Sequence, residues 1–364
     1  MKIALLSFYS GHLNRGVETY VDQFADQLGK NHTVEVYQSG PAPKNKSYPI
    51  LVFPVHSPKI WPDDFLSPRH LLKRLFLDYY KRKELIFFFK TLPNLISGNY
   101  DIIYPTNSGW PIPILRLITF LTRSKLIIAG HSGPGWDEHW NLFWKPDLFI
   151  CFTKAQLKWA KQSTFWGKQA FAQIYHAVDT EKFSPQGKTA KLKLQKPIVI
   201  NVAASTRDKR VEQGIAAIAR LKQGSYLLLG KGPLDKRINN LGYKLLGKNR
   251  FLHLSVSHDE IPNYYRAADL FTFCPHVREA FGLVYLEALA CNLPVVATND
   301  PIRKEIIGPA GLYINDPDDT DLYSQTIAAA LKKNWRHLPQ TRSQFFSLAS
   351  VFSQYEIALK NLTK

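Results

Sequence analysis

The sequence predicts two α/β domains in tandem, each built on a parallel β-sheet covered by helices. Three observations predict this. Short apolar runs of strand length alternate with helical patterns from the first residues onward. Those runs are apolar at consecutive positions, the mark of strands buried on both faces of a sheet. The chain has 364 residues, which against a common domain size of roughly 100–200 is enough for two cores.

Taken in order, residues 3–8 read as the first strand. They are too few for a signal peptide, and residues 9–15 turn polar at once with no small-residue cleavage site. After the loop 11–15, Val17, Tyr20, Val21, Phe24 and Leu28 recur at the helical period. Residues 33–37, 101–104, 126–129 and 148–152 are the next strands. The rhythm breaks over 180–196, where Ser184-Pro185, Gly187 and a run of lysines leave little to bury. It restarts with strands at 198–203, 226–229, 251–254, 269–273 and 293–297. The expected organisation is therefore a Rossmann-like domain over 1–185, a linker over 186–196, a second Rossmann-like domain over 197–344 and a helical segment over 345–364. In open α/β sheets ligands sit beyond the carboxyl ends of the strands, so the loops after those strands, facing a cleft between the domains, are where chemistry is expected.

Composition narrows the function. With 45% hydrophobic and 21% charged residues the chain is not disordered. Its 47 Lys+Arg against 29 Asp+Glu, a formal +18, favour polyanionic company: nucleic acid, anionic lipid or phosphorylated small molecules. Cys151, Cys274 and Cys291 are too few and too dispersed for a disulfide framework or a zinc cluster, and such sparing use fits a reducing compartment. The most apolar stretch, 111–121, is interrupted by Arg116 and falls short of the ~20 residues a bilayer needs. His, Asp and Glu do not recur at ligand spacing, so no metal is expected. Gly11 and Gly16 after the first strand do not make GxGxxG, Gly230-Lys231-Gly232 lacks the third glycine, and no P-loop is present, which counts against nicotinamide dehydrogenases and P-loop kinases.

The most informative segment is 278–300. A strand ends in a loop carrying Glu279, and a helix starts near Phe281-Gly282. Free backbone N–H groups and the dipole at such a start favour an anion. Glu287 follows Glu279 by eight residues, roughly 12 Å if a helix at 1.5 Å per residue joins them. Two carboxylates at that separation suit the hydroxyls at opposite ends of a diphosphate-linked ligand. A helix-terminal charge at Glu279 and a solvated helix face at Glu287 fit the same pattern. A retaining hydrolase is a poor fit, because it needs its carboxylates about 5–5.5 Å apart.

These residues resemble the retaining GT-B glycosyltransferases of family 4, and the resemblance covers nearly the whole chain. Glu279-x7-Glu287 around Phe281-Gly282-Leu283 is similar to that family's E-x7-E signature, and Pro294-Val295-Val296-Ala297 to the strand after it. Tyr265-Arg266-Ala267-Ala268-Asp269, Gly230-Lys231-Gly232-Pro233, His176-Ala177-Val178-Asp179 through Phe183-Ser184-Pro185, and Arg15-Gly16-Val17-Glu18 resemble its Y-x-A-A-D, G-x-G-P, N-G-V-D…F-x-P and G-G-x-E segments, in the expected order.

The resemblance implies definite roles. Glu279 would bind hydroxyls of the transferred sugar and Glu287 the nucleotide ribose. Phe281, Gly282, Leu283 and Gly230 would belong to the donor site, the first three through backbone N–H groups. Gly16 would let the backbone approach the donor phosphates where a side chain would intrude. Lys209 would stabilise the charge that grows on the leaving diphosphate, a transition-state effect. His131, in the Gly/Pro loop after the strand 126–129, would hydrogen-bond the donor sugar near the reacting carbon. Trp136, Asp137, Glu138, His139 and Trp140 suit the acceptor side and equally suit a packed loop, and the segment 345–364 would return to the first domain. Departures are visible: the arginine usual five positions before Lys209 is Ala204, with Arg207 or Arg210 as substitutes. Gly-Gly becomes Arg15-Gly16, the glycine after the E-x7-E helix becomes Asn292, and Asp300-Pro301-Ile302 stands before Glu305 where the family has Gly-Gly.

Residues 68–93 form a basic aromatic stretch. On one continuous helix Leu72, Leu75, Phe76 and Tyr79 would share a face, with Lys73, Arg74, Lys81 and Arg82 mostly elsewhere. Such a helix can lie on an anionic bilayer, each cation contributing ~1 kcal/mol, or it can pack on its own domain. No nucleic-acid-binding module is recognisable.

The expectation is a metal- and cofactor-independent retaining glycosyltransferase. It would use a UDP- or GDP-linked sugar as co-substrate and a glycan or lipid-linked acceptor. Its expected place is the cytoplasm, at the cytoplasmic face of a membrane if the basic stretch binds lipid. A nucleotide-sugar epimerase on the same plan, and a non-catalytic membrane-associated nucleotide-sugar binder, are the alternatives.

Overall fold

The computed structural model describes residues 1–13, 15–55, 70–164, 167, 169–276 and 280–363. They form two compact units, one comprising Met1–His176 with Val351–Lys364, the other Ala177–Ser350.

The first unit holds strands β1 (Lys2–Ser7), β2 (Thr33–Gln38), β3 (Ile50–Val52), β4 (Ile102–Pro105), β5 (Lys125–Ala129), β6 (Leu148–Cys151) and β7 (Phe171–Gln173). They lie in the order β3-β2-β1-β4-β5-β6-β7, and every pairing is parallel. Ile3 stands opposite Val34 on one side and Ile102 on the other. Ile3, Ala4 and Leu5 are each 0% exposed, so alternate side chains of β1 are buried on both faces, as consecutive apolar residues require. The helices are α1 (Gly16–Leu28), α2 (His70–Arg74), α3 (Tyr79–Ser97), α4 (Pro111–Thr122), α5 (Trp136–Phe143) and α6 (Lys154–Gln162). One core joins Leu6, Phe8, Phe87, Phe88, Ile103 and Leu115.

The second unit holds β8 (Ile198–Val202), β9 (Ser225–Leu229), β10 (Phe251–Leu254), β11 (Leu270–Phe273), β12 (Val295–Thr298) and β13 (Gly311–Ile314). Their order, β10-β9-β8-β11-β12-β13, is again wholly parallel. Its helices are α7 (Val211–Ala219), α8 (Asp235–Leu246), α9 (Ile261–Tyr265), α10 (Leu283–Ala290), α11 (Pro301–Ile307), α12 (Thr320–Lys332) and α13 (Leu338–Ser343), and α14 (Leu348–Leu362) starts in this unit but lies mostly in the first. Strand order reverses at β1/β4 in the first sheet and at β8/β11 in the second, which opens a crevice beyond the strand ends at each place.

The α/β class with two parallel sheets holds. Three strands escape the sequence pattern: β3, β7 and β13 lie at sheet edges. β7 is half-buried throughout and β3 half-buried to exposed, so neither carries the run of fully buried residues that marks an inner strand.

The single helix expected through 68–93 is interrupted. α2 ends at Arg74, Phe76 takes a left-handed φ of 54°, and the Asp78 side chain caps α3 by accepting the N–H groups of Tyr80 and Lys81. Phe76 is buried with its ring 5.2 Å from that of Trp140, whereas Leu75 and Tyr79 are exposed. The four apolar residues therefore do not share a face.

Residues from Val351 onward in α14 belong to the first unit. Val351, Phe352, Tyr355 and Leu359 are buried, and the Tyr355 hydroxyl accepts from Tyr20 at 2.9 Å while the Tyr20 and Tyr104 hydroxyls meet at 2.6 Å. Glu356 also receives Asn31 at 3.1 Å and His32 at 3.0 Å. Tyr355→Ala should therefore cost the first unit about 3–5 kcal/mol, and Tyr355→Phe about 1 kcal/mol. Urea denaturation would show this as a lower midpoint for the first unit's transition, and an unchanged midpoint for Tyr355→Ala would contradict the packing.

Candidate functional site

In the second unit the loops after β8 and β11, neighbours at the strand-order reversal, are tied together: the His276 N–H donates to the Asp208 carbonyl at 2.7 Å. The first of these loops ends in a 3-10 turn, Arg207–Lys209. Lys209 is half-buried, with its ammonium 3.4 Å from the Asp208 carboxylate and 5.8 Å from the centre of the Phe273 ring. Arg207 is exposed and Ala204 half-buried. Arg210 adopts φ 51° and is ion-paired with Asp318, so of the two substitutes for the missing arginine only Arg207 is uncommitted to that acid. Gly230 follows β9 at φ 152°, and a Cβ there would run into the Ala203 carbonyl. That glycine lets the β8 and β9 loops close on each other.

Gly282 precedes α10 in a left-handed conformation, φ 87° and ψ 75°, and as the N-cap residue it brings no side-chain cap to the helix. Such a turn disfavours any residue with a Cβ. It leaves first-turn N–H groups, Leu283 among them, directed out of the helix end, where an anion is favoured. Phe281 is buried beside it. Because α10 begins at Leu283, helical rise does not set the spacing of positions 279 and 287, contrary to the roughly 12 Å expectation. Glu279 itself lies outside the described residues.

Glu287, in the second turn of α10, is not on a solvated face: it is 6% exposed. Its Oε1 lies 3.0 Å from His258 Nε2, and its Oε2 accepts from the Tyr265 hydroxyl at 3.2 Å. Burial, followed by the nearby Glu287 charge, raises the Tyr265 phenol well above its usual range, so it stays protonated as a donor. Phe183, from the Phe183-Ser184-Pro185 segment, packs its ring 5.4 Å from His258 and 6.2 Å from Tyr265.

In the first unit Gly16 is the first residue of α1, and Glu18 closes the helix start by accepting from Arg15 N at 3.1 Å and pairing with its guanidinium at 3.2 Å. His131 follows β5. Its ring meets Tyr20 at 4.9 Å, Phe152 at 5.0 Å and His176 at 5.9 Å, and both ring nitrogens are buried without a hydrogen-bond partner among the described residues. Burial lowers the His131 pKa to about 3, so the ring is neutral near pH 7, able to donate from one nitrogen and accept at the other. Its loop is braced from behind. Glu138 accepts the Ser132 N–H at 2.8 Å and the Asn141 amide at 2.9 Å, and the Gln156 side chain donates to the Gly130 carbonyl at 2.7 Å.

Trp136 opens α5 and donates its indole N–H to the Arg74 carbonyl at 2.7 Å, while Trp110 donates to Leu75 at 2.9 Å. Two indoles thus pin the end of α2 to the loops after β4 and β5. Trp136, Trp140, Leu142, Phe143 and Lys145 line a largely apolar cavity of about 600 Å³. Lys73, Arg74 and Arg82 are exposed. Lys81 is turned inward: it pairs with buried Glu84 at 2.8 Å and donates to the Ser108 carbonyl at 3.0 Å. Among the described residues no three His, Cys, Asp or Glu side chains are grouped to hold a metal ion, and no helix is long and apolar enough to cross a membrane.

Sequence reasoning missed His258 and Lys182. His258 meets Glu287 across 29 positions, which no local pattern signals, whereas for Glu138, which is buried, the packed-loop alternative is the one that fits.

Residues 185–345 match the family model described as glycosyl transferases group 1. The chain is 34% identical over 116 residues to O-antigen chain mannosyltransferase B of Escherichia coli, an alignment spanning 32% of this chain and only 27% of that protein. It is 24% identical over 307 residues to O-antigen chain mannosyltransferase RfbU of Salmonella typhimurium, spanning 76% of this chain and 83% of that one. Among solved structures, Anabaena Alr3699/HepE in complex with UDP and glucose superposes with a TM-score of 0.74 at 19% identity, covering 99% of each chain. The fold is thus that of the GT-B glycosyltransferases.

Glu138 offers a test of the bracing. Burial raises its carboxyl pKa to about 8 from an ordinary 4.5. A native pKa above the unfolded one means the ionised form is the disfavoured one in the fold. Its contribution is therefore complete below about pH 4.5 and is lost as pH rises through about 8. Glu138→Gln, uncharged throughout, should melt near the wild type at about pH 5 and several degrees above it at about pH 9. Melting curves that run parallel across this range would remove Glu138 from the account.

Proposed function

We propose that this chain, whose residues 185–345 match the family model described as glycosyl transferases group 1, is a nucleotide-sugar-dependent glycosyltransferase. It moves a hexose from a UDP- or GDP-linked donor to a glycan or lipid-linked acceptor with retention of anomeric configuration. The observation that carries this reading is the buried Glu287 carboxylate, held by His258 and Tyr265 on the helix whose start follows left-handed Gly282. A carboxylate fixed there suits the two hydroxyls of a ribose, and the helix start suits a diphosphate.

Lys209 and exposed Arg207 take the diphosphate charge, and Glu279 takes hydroxyls of the transferred sugar. In the first unit, neutral His131 offers a hydrogen bond to a sugar hydroxyl without adding a positive charge. During transfer the bond from C1 to the phosphate oxygen breaks and the bond from C1 to the acceptor oxygen forms on the same face. The acceptor proton passes to the departing phosphate oxygen, and the charge left on the diphosphate is what Lys209 and the α10 N–H groups stabilise. The E. coli and Salmonella relatives are named as mannosyltransferases and HepE was solved with UDP and glucose, so GDP-mannose and UDP-glucose are the donors to offer first.

The apolar cavity along α5 supports a lipid-linked acceptor. Exposed Lys73, Arg74 and Arg82 beside exposed Leu75, Leu77 and Tyr79 support contact with an anionic bilayer. Lys81, committed to Glu84, has no part in it.

Titration calorimetry with UDP- and GDP-sugars should show Glu287→Ala weakening donor binding by tenfold or more. His131→Ala should lower kcat by about a hundredfold with donor affinity within a few-fold of wild type. Donor affinity untouched by Glu287→Ala would overturn the ribose assignment. In sedimentation with phosphatidylglycerol vesicles, Lys73→Gln/Arg74→Gln/Arg82→Gln should release the protein. Lys81→Gln should lower the melting temperature instead, and equal retention of the triple variant would discard the membrane contact.

A further inference from the structure

We infer that His258 is a positioning residue for nucleotide recognition: it locks the Glu287 carboxylate in the orientation a ribose cis-diol needs, and Lys182 locks His258. The inference rests on the reading of Glu287 as the ribose-binding carboxylate, and every residue in it belongs to the second unit.

The argument begins at Lys182, whose ammonium lies 3.2 Å from His258 Nδ1. An ammonium has only N–H bonds to give, so Nδ1 is the acceptor and the ring proton resides on Nε2. Nε2–H then donates to Glu287 Oε1 at 3.0 Å. Lys182 is itself held at 2.6 Å by Asp259, the residue after His258, and the Phe183 ring packs 5.4 Å from the imidazole. On the other carboxylate oxygen Tyr265 donates at 3.2 Å.

One donor on each oxygen fixes both the position and the plane of the carboxylate. Each oxygen keeps a second lone pair for a ribose hydroxyl. With Nδ1 occupied by Lys182, the imidazole cannot turn over to offer Glu287 its bare nitrogen. Without His258 the carboxylate keeps Tyr265 but is free to swing about that single tether, and the loss falls on the diol rather than on the diphosphate.

Calorimetry on the full chain with UDP, GDP, their 2′-deoxy forms and inorganic pyrophosphate tests this. The wild type should prefer whichever ribonucleotide it binds over its 2′-deoxy form by about tenfold or more. His258→Ala should compress that ratio to about threefold or less while leaving pyrophosphate affinity unchanged. His258→Gln, whose amide N–H can stand where Nε2–H stood, should restore most of it.

A wild-type ratio retained in His258→Ala would overturn the positioning role, as would an equal loss for ribo-, deoxy- and pyrophosphate ligands, or a His258→Gln variant no better than Ala. A wild type that binds a nucleotide without distinguishing ribose from deoxyribose, or binds none, would sink the Glu287 reading itself. The two failures are therefore separable.

Discussion

All strands of each sheet run the same way, so all their carboxyl ends collect along one edge, and strand order reverses once in each sheet. That constraint decides where polar groups can be kept. The strand interiors are mostly apolar on both faces, so the functional side chains gather in the loops and first helical turns at that edge. The 3-10 turn at Arg207–Lys209, left-handed Gly282 and the His131 loop all follow strands in this way. Each needs local support, because a loop alone does not fix a side chain to within an ångström.

The support differs between the units. Around Glu287 it is polar and charged: an ammonium and an imidazole in series on one oxygen of a buried carboxylate, and a phenol on the other. Around His131 it is aromatic, with Tyr20, Phe152 and His176 about the ring and the polar brace placed behind the loop at Glu138 and Gln156. The first arrangement keeps a charge in place, and the second keeps a ring neutral. Both follow from the cost of burying ionised groups, met in one case by donors and avoided in the other by deprotonation.

Much of this was legible in the sequence, for particular reasons. Inner strands such as 3–8 and 198–203 announced themselves because burial on two faces demands consecutive apolar residues. The Glu279-x7-Glu287 spacing with its intervening glycine marked the helix start because the backbone there needs a residue without a Cβ. The edge strands β3, β7 and β13 lacked that demand and passed unnoticed. The stretch 68–93 looked like one helix because periodicity does not register a capping aspartate at position 78 or a left-handed Phe76. Lys81 looked solvated because its partner, although only three residues away, is an acid buried by tertiary packing. Contacts such as His258 with Glu287 leave no local trace at all.

The return of α14 to the first unit has a consequence for how the chain is made. Residues Ala177–Ser350 form a continuous segment and can close their core as soon as they leave the ribosome. The earlier-synthesised unit cannot, because Phe352, Tyr355 and Leu359, which complete it, are made only after that whole segment. The usual vectorial order, amino-terminal part first, is thereby inverted for the final step. Until translation passes Leu359, the hydroxyls of Tyr20 and Tyr104 and the apolar surface around them wait uncovered, which makes that interval the one in which a nascent chain of this design has most need of a chaperone.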